Sequence, residues 1–84
     1  MSEVTVRFWA AAREAAGLTE ERYPAGSLAE VLTAAAARHG NRLAAILECA
    51  SFLVDGDPVG KRDRSAVTVG AGAVVEVLPP FAGG

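Results

Sequence analysis

One segment of this 84-residue chain carries a complete helix signature, and it constrains the fold more than any other feature. Ser27 and Glu30 have the S-x-x-E spacing of a capping box, in which each satisfies the other's orphan backbone N–H. An apolar stripe at helical spacing follows and stops at Gly40-Asn41. Its members are Leu28, Val31, Leu32 and Ala35. A helix with one apolar stripe needs another layer to cover that stripe.

The segments around this helix have the spacing of short strands. Apolar and polar side chains alternate in residues 4–9, which predicts a half-buried first strand. Residues 20–23 predict a second strand from weaker periodicity, residues 67–69 a short extended piece, and residues 74–78 the last strand. One principal helix among several strands indicates an α+β fold with a mixed sheet.

Two shorter helices and a hairpin complete the predicted architecture. The Ala-rich run from Ala10 to Ala16 favours one or two helical turns, closed by Gly17 in a left-handed conformation. Residues 43–47 repeat the helical spacing over a shorter stretch, which covers an edge of the core. An Asp-Gly turn at residues 55–56 favours a tight hairpin, whose second arm resumes at Val59.

Size and charge restrict the classes of function. With 84 residues, 51% of them hydrophobic, the chain fits one domain with a single shallow core and little room for an enclosed active site. The net charge of −2 disfavours nucleic acid as a partner and favours a basic protein surface. One cysteine, no targeting pattern and no long apolar run indicate a cytoplasmic protein without a membrane span.

The last six residues are the most informative segment for function. Pro79-Pro80 removes two backbone donors and fixes φ twice, so the sheet ends there and the chain leaves extended. We therefore divide the chain into a body of residues 1–78 and a flexible diglycine tail of residues 79–84, which spans at most about 20 Å. The Gly84 carboxylate is the candidate reactive group, because the two glycines let it enter a narrow partner channel.

A carboxylate is a poor electrophile, so this group needs activation by another enzyme, for example as a mixed anhydride with AMP. The activated carbonyl could then accept sulfide and become a thiocarboxylate, or accept an amine and become an amide. The residues themselves do not choose between these two products. A frayed end without function is the simplest alternative.

For the other reactive side chains we favour structural roles. His39 lies near the end of the long helix, where an imidazole interacts with the negative end of the helix dipole. Cys49 follows an apolar helical segment and is expected to be a small buried hydrophobe, with no second cysteine to resolve it. Lys61, Arg62 and Arg64 could pair with an acidic partner surface, yet a mixed charge run is usually just solvated.

The first strand carries two neighbouring aromatic residues on opposite faces. Of Phe8 and Trp9, one is expected in the core and the other as a partly exposed contact for a partner. The sequence contains no G-x-G-x-x-G, P-loop, paired-cysteine motif or catalytic triad, and no second histidine to complete a metal site. We therefore expect no bound metal and no active site in the body.

Two segments taken together resemble the MoaD/ThiS family of ubiquitin-like sulfur carriers. They are Phe8-Trp9-Ala10-Ala11-Ala12-Arg13-Glu14-Ala15-Ala16-Gly17 and Val77-Leu78-Pro79-Pro80-Phe81-Ala82-Gly83-Gly84. Val54-Asp55-Gly56 also occupies the place of that family's Val-Asn-Gly turn. The resemblance spans the whole chain, and both segments are more like the molybdopterin synthase small subunit, MoaD, than the shorter thiamine sulfur carrier.

The resemblance implies a ubiquitin-like β-grasp fold and a carrier that is not an enzyme on its own. It implies that an E1-like adenylyltransferase of the MoeB type uses ATP to convert Gly84 to an acyl-adenylate, which then becomes a thiocarboxylate. The tail would next insert into the large synthase subunit, MoaE, and donate sulfur to a pterin precursor in molybdenum cofactor biosynthesis. The residues that would position Gly84 in both partner channels are Pro79, Pro80, Phe81, Ala82 and Gly83. No bound cofactor is implied.

Three alternatives stay open at the level of sequence. The chain could carry sulfur for thiamine, cysteine or another metabolite, since the chemistry of the tail is the same. It could modify proteins by forming isopeptide bonds with lysines, as ubiquitin does. It could also be a plain interaction domain with an incidental tail.

Overall fold

The computed structural model describes residues 2–80, which form the predicted α+β arrangement. The strands are β1 (Glu3–Phe8), β2 (Glu20–Pro24), β3 (Gly26–Ser27), β4 (Ser51–Val54), β5 (Asp57–Pro58), β6 (Thr68–Val69) and β7 (Val74–Leu78). The helices are α1 (Ala10–Ala16), α2 (Leu28–His39) and α3 (Asn41–Cys49), with a short 3-10 helix at Arg64–Ala66. Gly17 closes α1 with φ of 81°, as predicted.

Helix α2 begins with the predicted capping box. The Ser27 hydroxyl accepts a hydrogen bond from the Glu30 N–H at 3.1 Å, and the Glu30 carboxylate accepts one from the Ser27 N–H at 2.9 Å. A Cβ on Gly26 would lie 2.7 Å from the Glu30 Oε1, so a larger residue there would displace the end of the returning Glu30 side chain. All four residues of the predicted stripe are buried: Leu28, Val31, Leu32 and Ala35.

The main sheet has the strand order β2-β1-β7-β4-β5. Its neighbours β1 and β7 run parallel, with Phe8 opposite Val77, whereas the β1–β2 and β4–β7 pairs are antiparallel. Parallel strands end at the same edge of a sheet, so the chain leaves β1 at Trp9 and β7 at Pro79 side by side. The Trp9 N–H accordingly donates to the Val77 carbonyl at 3.2 Å.

The core lies between the inward face of this sheet and the helices. Its largest fully buried side chains are Tyr23, Phe8, Leu28, Leu43, Val4, Val6, Val31, Val69, Val75 and Val77. Phe8 is therefore the core member of the aromatic pair, and Trp9 is 43% exposed, which confirms that the two lie on opposite faces. Strands wrapped around one principal helix give the β-grasp arrangement that the sequence resemblance implies.

The hairpin between β4 and β5 is tighter than predicted. Asp55 and Gly56 have φ of 50° and 84°, the two positive values that a two-residue type I′ turn requires. The return strand therefore starts before Val59, whose N–H still donates to the Phe52 carbonyl at 3.0 Å. The Asp55 carboxylate also accepts from the Val74 N–H at 2.9 Å and so ties the turn to the start of β7.

The predicted stop at Gly40-Asn41 and the second helical segment after it are both confirmed. Gly40 at φ of 94° ends α2, and α3 begins at once at Asn41, two residues before the predicted segment. The short 3-10 helix was not predicted from the sequence. The 3-10 helix is supported by the Asp63 carboxylate, which accepts from the Ser65 N–H at 2.9 Å. Such a cap competes with the extended conformation that a hydrophilic loop would otherwise adopt.

Candidate functional site

The tail root, defined as Leu78, Pro79 and Pro80, is the end of β7 and the start of the predicted tail. β7 ends at Leu78, Pro79 is buried and Pro80 is exposed. Hydrogen-bonded neighbours on both sides of β7 hold this point at the middle of the sheet edge. The other predicted site residues, Phe81, Ala82, Gly83 and Gly84, lie outside the described residues, and the division of the chain at residue 79 stays a prediction.

An aromatic and basic recess, the Trp9 recess, lies at the same sheet edge. It has a volume of about 180 Å³ and is lined by Arg7, Phe8, Trp9, Arg13, Thr19 and Glu20. The Arg7 Nε lies 3.0 Å from the Glu20 Oε2, which neutralises that cation. Within residues 2–80 no carboxylate lies at ion-pair distance from Arg13. The recess thus presents an exposed indole beside a cation, a combination suited to a partner surface with an apolar spot and an acidic rim.

A second recess, the tail-root groove, has the two prolines as part of its wall. It has a volume of about 290 Å³ and is lined by Ala11, Ala45, Ile46, Cys49, Pro79 and Pro80. Its walls come from α1, α3 and the tail root, and none of these six residues is Asp, Glu, Lys, Arg or His. The groove is therefore an apolar surface directly beside the tail root.

The prediction that Cys49 is buried is wrong. Its side chain is exposed at the last position of α3. Leu43 and Leu47 define the buried face of this helix, and Cys49 lies two residues beyond Leu47, about 200° around the helix axis. Cys49 therefore lies on the face of α3 opposite to Leu47. A helical wheel of residues 41–49 would have shown this from the sequence.

A polar cluster that sequence reasoning missed joins β2 to the end of α2. The Glu21 carboxylate accepts hydrogen bonds from the Tyr23 hydroxyl at 2.5 Å and from the His39 Nε2 at 2.6 Å, and an Arg38 guanidinium nitrogen lies 3.1 Å away. The Arg38 guanidinium also stacks over the Tyr23 ring, 4.5 Å from its centroid. Period-two spacing places Glu21 and Tyr23 on one face of β2, and this was the available sequence signal.

This cluster shifts the pKa values of two of its members. Partial burial alone would raise the pKa of Glu21, but hydrogen bonds from Tyr23, His39 and Arg38, with the charge of Arg38, lower that pKa to about 2. Burial of the Tyr23 hydroxyl, its hydrogen bond to Glu21 and the nearby negative charge raise the pKa of Tyr23 well above its usual value. Glu21 is thus a charged anchor at every pH at which proteins usually work.

His39 and the two arginines of the predicted charge run make contacts within the fold. His39 is the last residue of α2, as its predicted role at the helix end requires, and its ring also meets the Phe8 ring edge-on at 6.1 Å. Arg62 donates to the carbonyls of Pro58 and Val59 at 3.0 Å. Arg64 lies 4.6 Å from the centroid of the Phe52 ring, with a further hydrogen bond to a backbone carbonyl of α3. The two arginines are therefore bound to their own chain rather than merely solvated.

Among residues 2–80 no group of three or more His, Cys, Asp or Glu side chains is arranged to hold a metal ion. In the same residues no helix has the length and apolar character needed to cross a membrane.

The body has the β-grasp fold, and its last strand lies beside β1 in the sheet and leads into a Pro-Pro segment. This architecture is that of the small ubiquitin-like proteins. The chain belongs to the ThiS family, whose sequence profile matches residues 6–84. This match extends from β1 through the predicted tail. A comparison with curated proteins gave no match.

Three solved structures illustrate the likeness. The Haloferax volcanii HVO 2177 protein is 29% identical, with a TM-score of 0.79 over 99% of this chain and 87% of that chain. The small archaeal modifier protein 1 (SAMP1) from Methanosarcina acetivorans is 23% identical, with a TM-score of 0.84 over 100% and 98%. The third structure is a protein-protein complex of subunits 1 and 2 of molybdopterin-converting factor from Helicobacter pylori. A chain of this complex is 22% identical, with a TM-score of 0.66 over 98% of this chain and 99% of that chain.

Proposed function

We propose that this protein is a sulfur carrier whose Gly84 carboxylate is adenylated and then converted to a thiocarboxylate. The observation that carries the proposal is the ThiS family match over residues 6–84, which includes the whole predicted tail. The geometry of the tail root supports it, because β7 delivers the chain to Pro79 at a sheet edge held on both sides. A carrier needs this combination of a rigid body and a narrow terminal arm.

The proposed chemistry has two balanced steps. A carboxylate oxygen of Gly84 attacks the α-phosphorus of ATP, pyrophosphate leaves, and a mixed anhydride with AMP forms. Sulfide then attacks the glycyl carbonyl carbon, the bond from that carbon to the AMP oxygen breaks, AMP leaves, and a thiocarboxylate remains. An E1-like adenylyltransferase of the MoeB type supplies the first active site in this proposal. The carrier's own residues only present and position the terminus.

We further propose molybdopterin synthesis as the pathway, with this chain as small subunit beside a large subunit of the MoaE type. Two observations support this choice. The Helicobacter pylori neighbour is a complex of subunits 1 and 2 of molybdopterin-converting factor. The Pro-Pro-x-x-Gly-Gly ending and the Phe-x-x-x-x-Arg-Glu segment carry the sequence resemblance to MoaD. In that role the thiocarboxylate donates its sulfur to a pterin precursor bound by the large subunit.

Intact-protein mass spectrometry tests the sulfur-carrier proposal. After incubation with ATP, a MoeB-type enzyme and a sulfur donor, we expect a gain of about 16 Da, the difference between sulfur and oxygen. The unreacted protein gives the mass that ends at Gly84, and a sample without ATP is the control. Absence of the gain with an enzyme that loads a MoaD carrier in parallel would refute the proposal.

The Trp9 recess gives a second prediction, about partner docking. Trp9→Ala is expected to weaken binding of the large subunit at least about tenfold, because a half-exposed indole beside the tail root is a typical hot spot. Isothermal titration against a MoaE-type subunit measures the change. Arg22→Ala is the matched control, since Arg22 is exposed on β2 near the other end of β1, opposite Thr5. Equal affinities for both variants would contradict this docking surface.

A protein modifier is the second candidate function. The observation that favours it is the SAMP1 neighbour from Methanosarcina acetivorans, which has a TM-score of 0.84 over the whole chain. This function predicts amide-linked conjugates of higher mass in the source cells, absent when Gly83 and Gly84 are deleted. Copurification with a large synthase subunit, without conjugates, supports molybdopterin synthesis. Copurification with enzymes of another sulfur pathway indicates the thiamine, cysteine or related role instead.

A further inference from the structure

Strand β2 is a free edge of the main sheet. It pairs with β1 on one side, and within residues 2–80 no strand pairs with its other side. The Thr19 carbonyl and the Ala25 N–H extend the ladder at its two ends, so the odd-numbered residues of this segment bond toward β1. In an antiparallel pair the alternate residues turn their N–H and C=O groups the other way. Glu20, Arg22 and Pro24 therefore direct their backbone groups to the free edge.

The opposite edge of the sheet is closed by its own residues. At β5 the residue that faces outward is Pro58, because the next residue, Val59, bonds to β4. Pro58 has no N–H, and its carbonyl accepts a hydrogen bond from the Arg62 Nη2 at 3.0 Å. In the described part of the chain no backbone group bonds to the outward N–H or C=O of Arg22. Of the two edges, β2 is thus the one that offers donors and acceptors to another strand.

We propose that β2 pairs with β2 of a second copy of this chain, antiparallel across a two-fold axis at Glu21. The outward groups of Glu20 then face those of Arg22 of the second copy, and the same pair recurs on the other side of the axis. Each pair exchanges two N–H···O bonds, so the interface contains four backbone hydrogen bonds. The two five-stranded sheets become one continuous sheet.

Charge complementarity favours a second copy as the occupant of this edge. Glu20 and Arg22 are exposed on the outer face of β2, opposite the buried Tyr23. In the proposed register each carboxylate lies across from a guanidinium of the other chain, which is a favourable cross-strand pair. The Arg7 Nε lies 3.0 Å from the Glu20 Oε2, so the other carboxylate oxygen stays available. Charges usually protect an edge strand, but opposite signs two residues apart attract an antiparallel copy.

The neighbouring registers are less favourable. With the axis at Arg22, two guanidinium groups would face each other, and Glu20 would face Pro24, which cannot donate. With the axis at Glu20, two carboxylates would face each other. In the proposed register the two Glu21 carboxylates are opposite each other on the inner face, and each is neutralised by its own Arg38 at 3.1 Å. Side-chain charge therefore selects one register.

This pairing leaves both tail roots free. β1 lies between β2 and β7, so Leu78 and Pro79 are two strand spacings, about 10 Å, away from β2. That one particle would present two carrier tails is a consequence that rests on the proposed function. The pairing itself concerns the body alone.

A single strand pair is a small interface, so we expect a weak dimer. Interfaces below about 1,200 Å² are typical of transient complexes, and we expect a Kd on the order of 0.1–1 mM. Sedimentation equilibrium from micromolar to millimolar concentrations measures it. The average mass should rise from 8.6 kDa toward twice that value, and a monomer at the highest concentration would overturn the proposal. Titrations and unfolding experiments at micromolar concentrations report on the monomer.

Complementary charge variants test the register. Glu20→Lys sets an ammonium group across from a guanidinium, and Arg22→Glu sets two carboxylates across from each other. Each variant alone should therefore self-associate at least about tenfold more weakly than the wild type. A mixture of the two variants has opposite charges in both pairs and should regain tight pairing, which damage to the fold would not permit. Arg42→Glu, the same charge change on the exposed surface of α3, is the control and should associate like the wild type.

Hydrogen exchange locates the contact. The amide protons of Glu20 and Arg22 should exchange several-fold more slowly in concentrated than in dilute protein, whereas that of Gly56 in the distant hairpin should not change. Protection of the Glu20 and Arg22 amides at every concentration would indicate that the same chain covers β2 and would overturn the proposal. Association that persists in both charge variants, or a mixture no tighter than either variant, would also refute it. These assays contain no activating enzyme, so their outcome is independent of the thiocarboxylate test.

Discussion

Replacing Glu21 by glutamine is expected to lower the free energy of unfolding at pH 7 by about 2 kcal/mol. The substitution removes the charge that Arg38 and His39 contact but keeps an oxygen that can accept from Tyr23. The Glu21 side chain is 21% exposed, so solvent screens its interactions less than those of a surface pair. Urea unfolding followed by circular dichroism measures the change.

Glu20→Gln is the matched control, one residue away on the same strand. Glu20 pairs with Arg7 at 3.0 Å, but both side chains are about half exposed. Exposed pairs contribute little, so this variant should change stability by about 0.5 kcal/mol or less. Similar losses in the two variants would contradict the anchoring role of the Glu21 cluster.

The stability that Glu21 contributes should fall as the pH is lowered. The pKa of Glu21 in the folded protein is about 2, below its ordinary value of 4.5, so the folded state favours the charged form. The resulting stabilisation is complete above pH 4.5 and is lost as the pH falls toward 2. Wild-type stability should therefore decline across this window, and the decline should be smaller in Glu21→Gln. Parallel curves for the two proteins would show that other carboxylates cause the acid sensitivity.

Removal of Gly83 and Gly84 is expected to abolish sulfur loading without changing the stability of the body. Each residue of an extended chain spans at most about 3.6 Å, so the new terminus would fall about 7 Å short of the adenylation site. A misplacement of only 1 Å can cost about 100-fold in rate, so thiocarboxylate formation should drop at least that much. Intact mass after the ATP-dependent reaction measures it.

This experiment has two controls: a variant whose tail keeps its length, and a measurement of the stability of the shortened chain. Gly84→Ala keeps the length of the tail and adds one methyl group, so it tests whether the channel excludes a Cβ. The thermal midpoint of the deletion variant should equal that of the wild type, because β7 ends at Leu78. Loading of the shortened chain at the wild-type rate would show that the reactive carboxylate is not where we propose.

Local signals made much of the fold predictable. The capping box of Ser27 and Glu30 and the stripe after it lie within a few residues of each other, so the sequence alone defines the start and buried face of α2. The Pro-Pro pair likewise predicted the end of β7 at Leu78. Phe8 and Trp9 were correctly placed on opposite faces, because strand geometry alone determines that alternation.

Contacts between distant segments were harder to predict. Glu21 and His39 are 18 residues apart, and only the packing of α2 over β2 brings them together. Cys49 was misplaced because composition suggested burial, whereas its position relative to Leu43 and Leu47 puts it on the open face of α3. The tail-root groove depends on α1, α3 and β7 meeting at one corner, which no local pattern encodes.

The pairing of β7 has a mechanical consequence for the terminus that follows this strand. Inter-strand hydrogen bonds run across the strand direction, and β7 has such bonds to β1 on one side and β4 on the other. A pull on the tail along β7 therefore acts on both ladders in shear, so that many bonds resist together instead of opening one after another. Tension applied beyond Pro79 is thus spread over both ladders, and the folded body withstands more of it than it would if β7 were an edge strand.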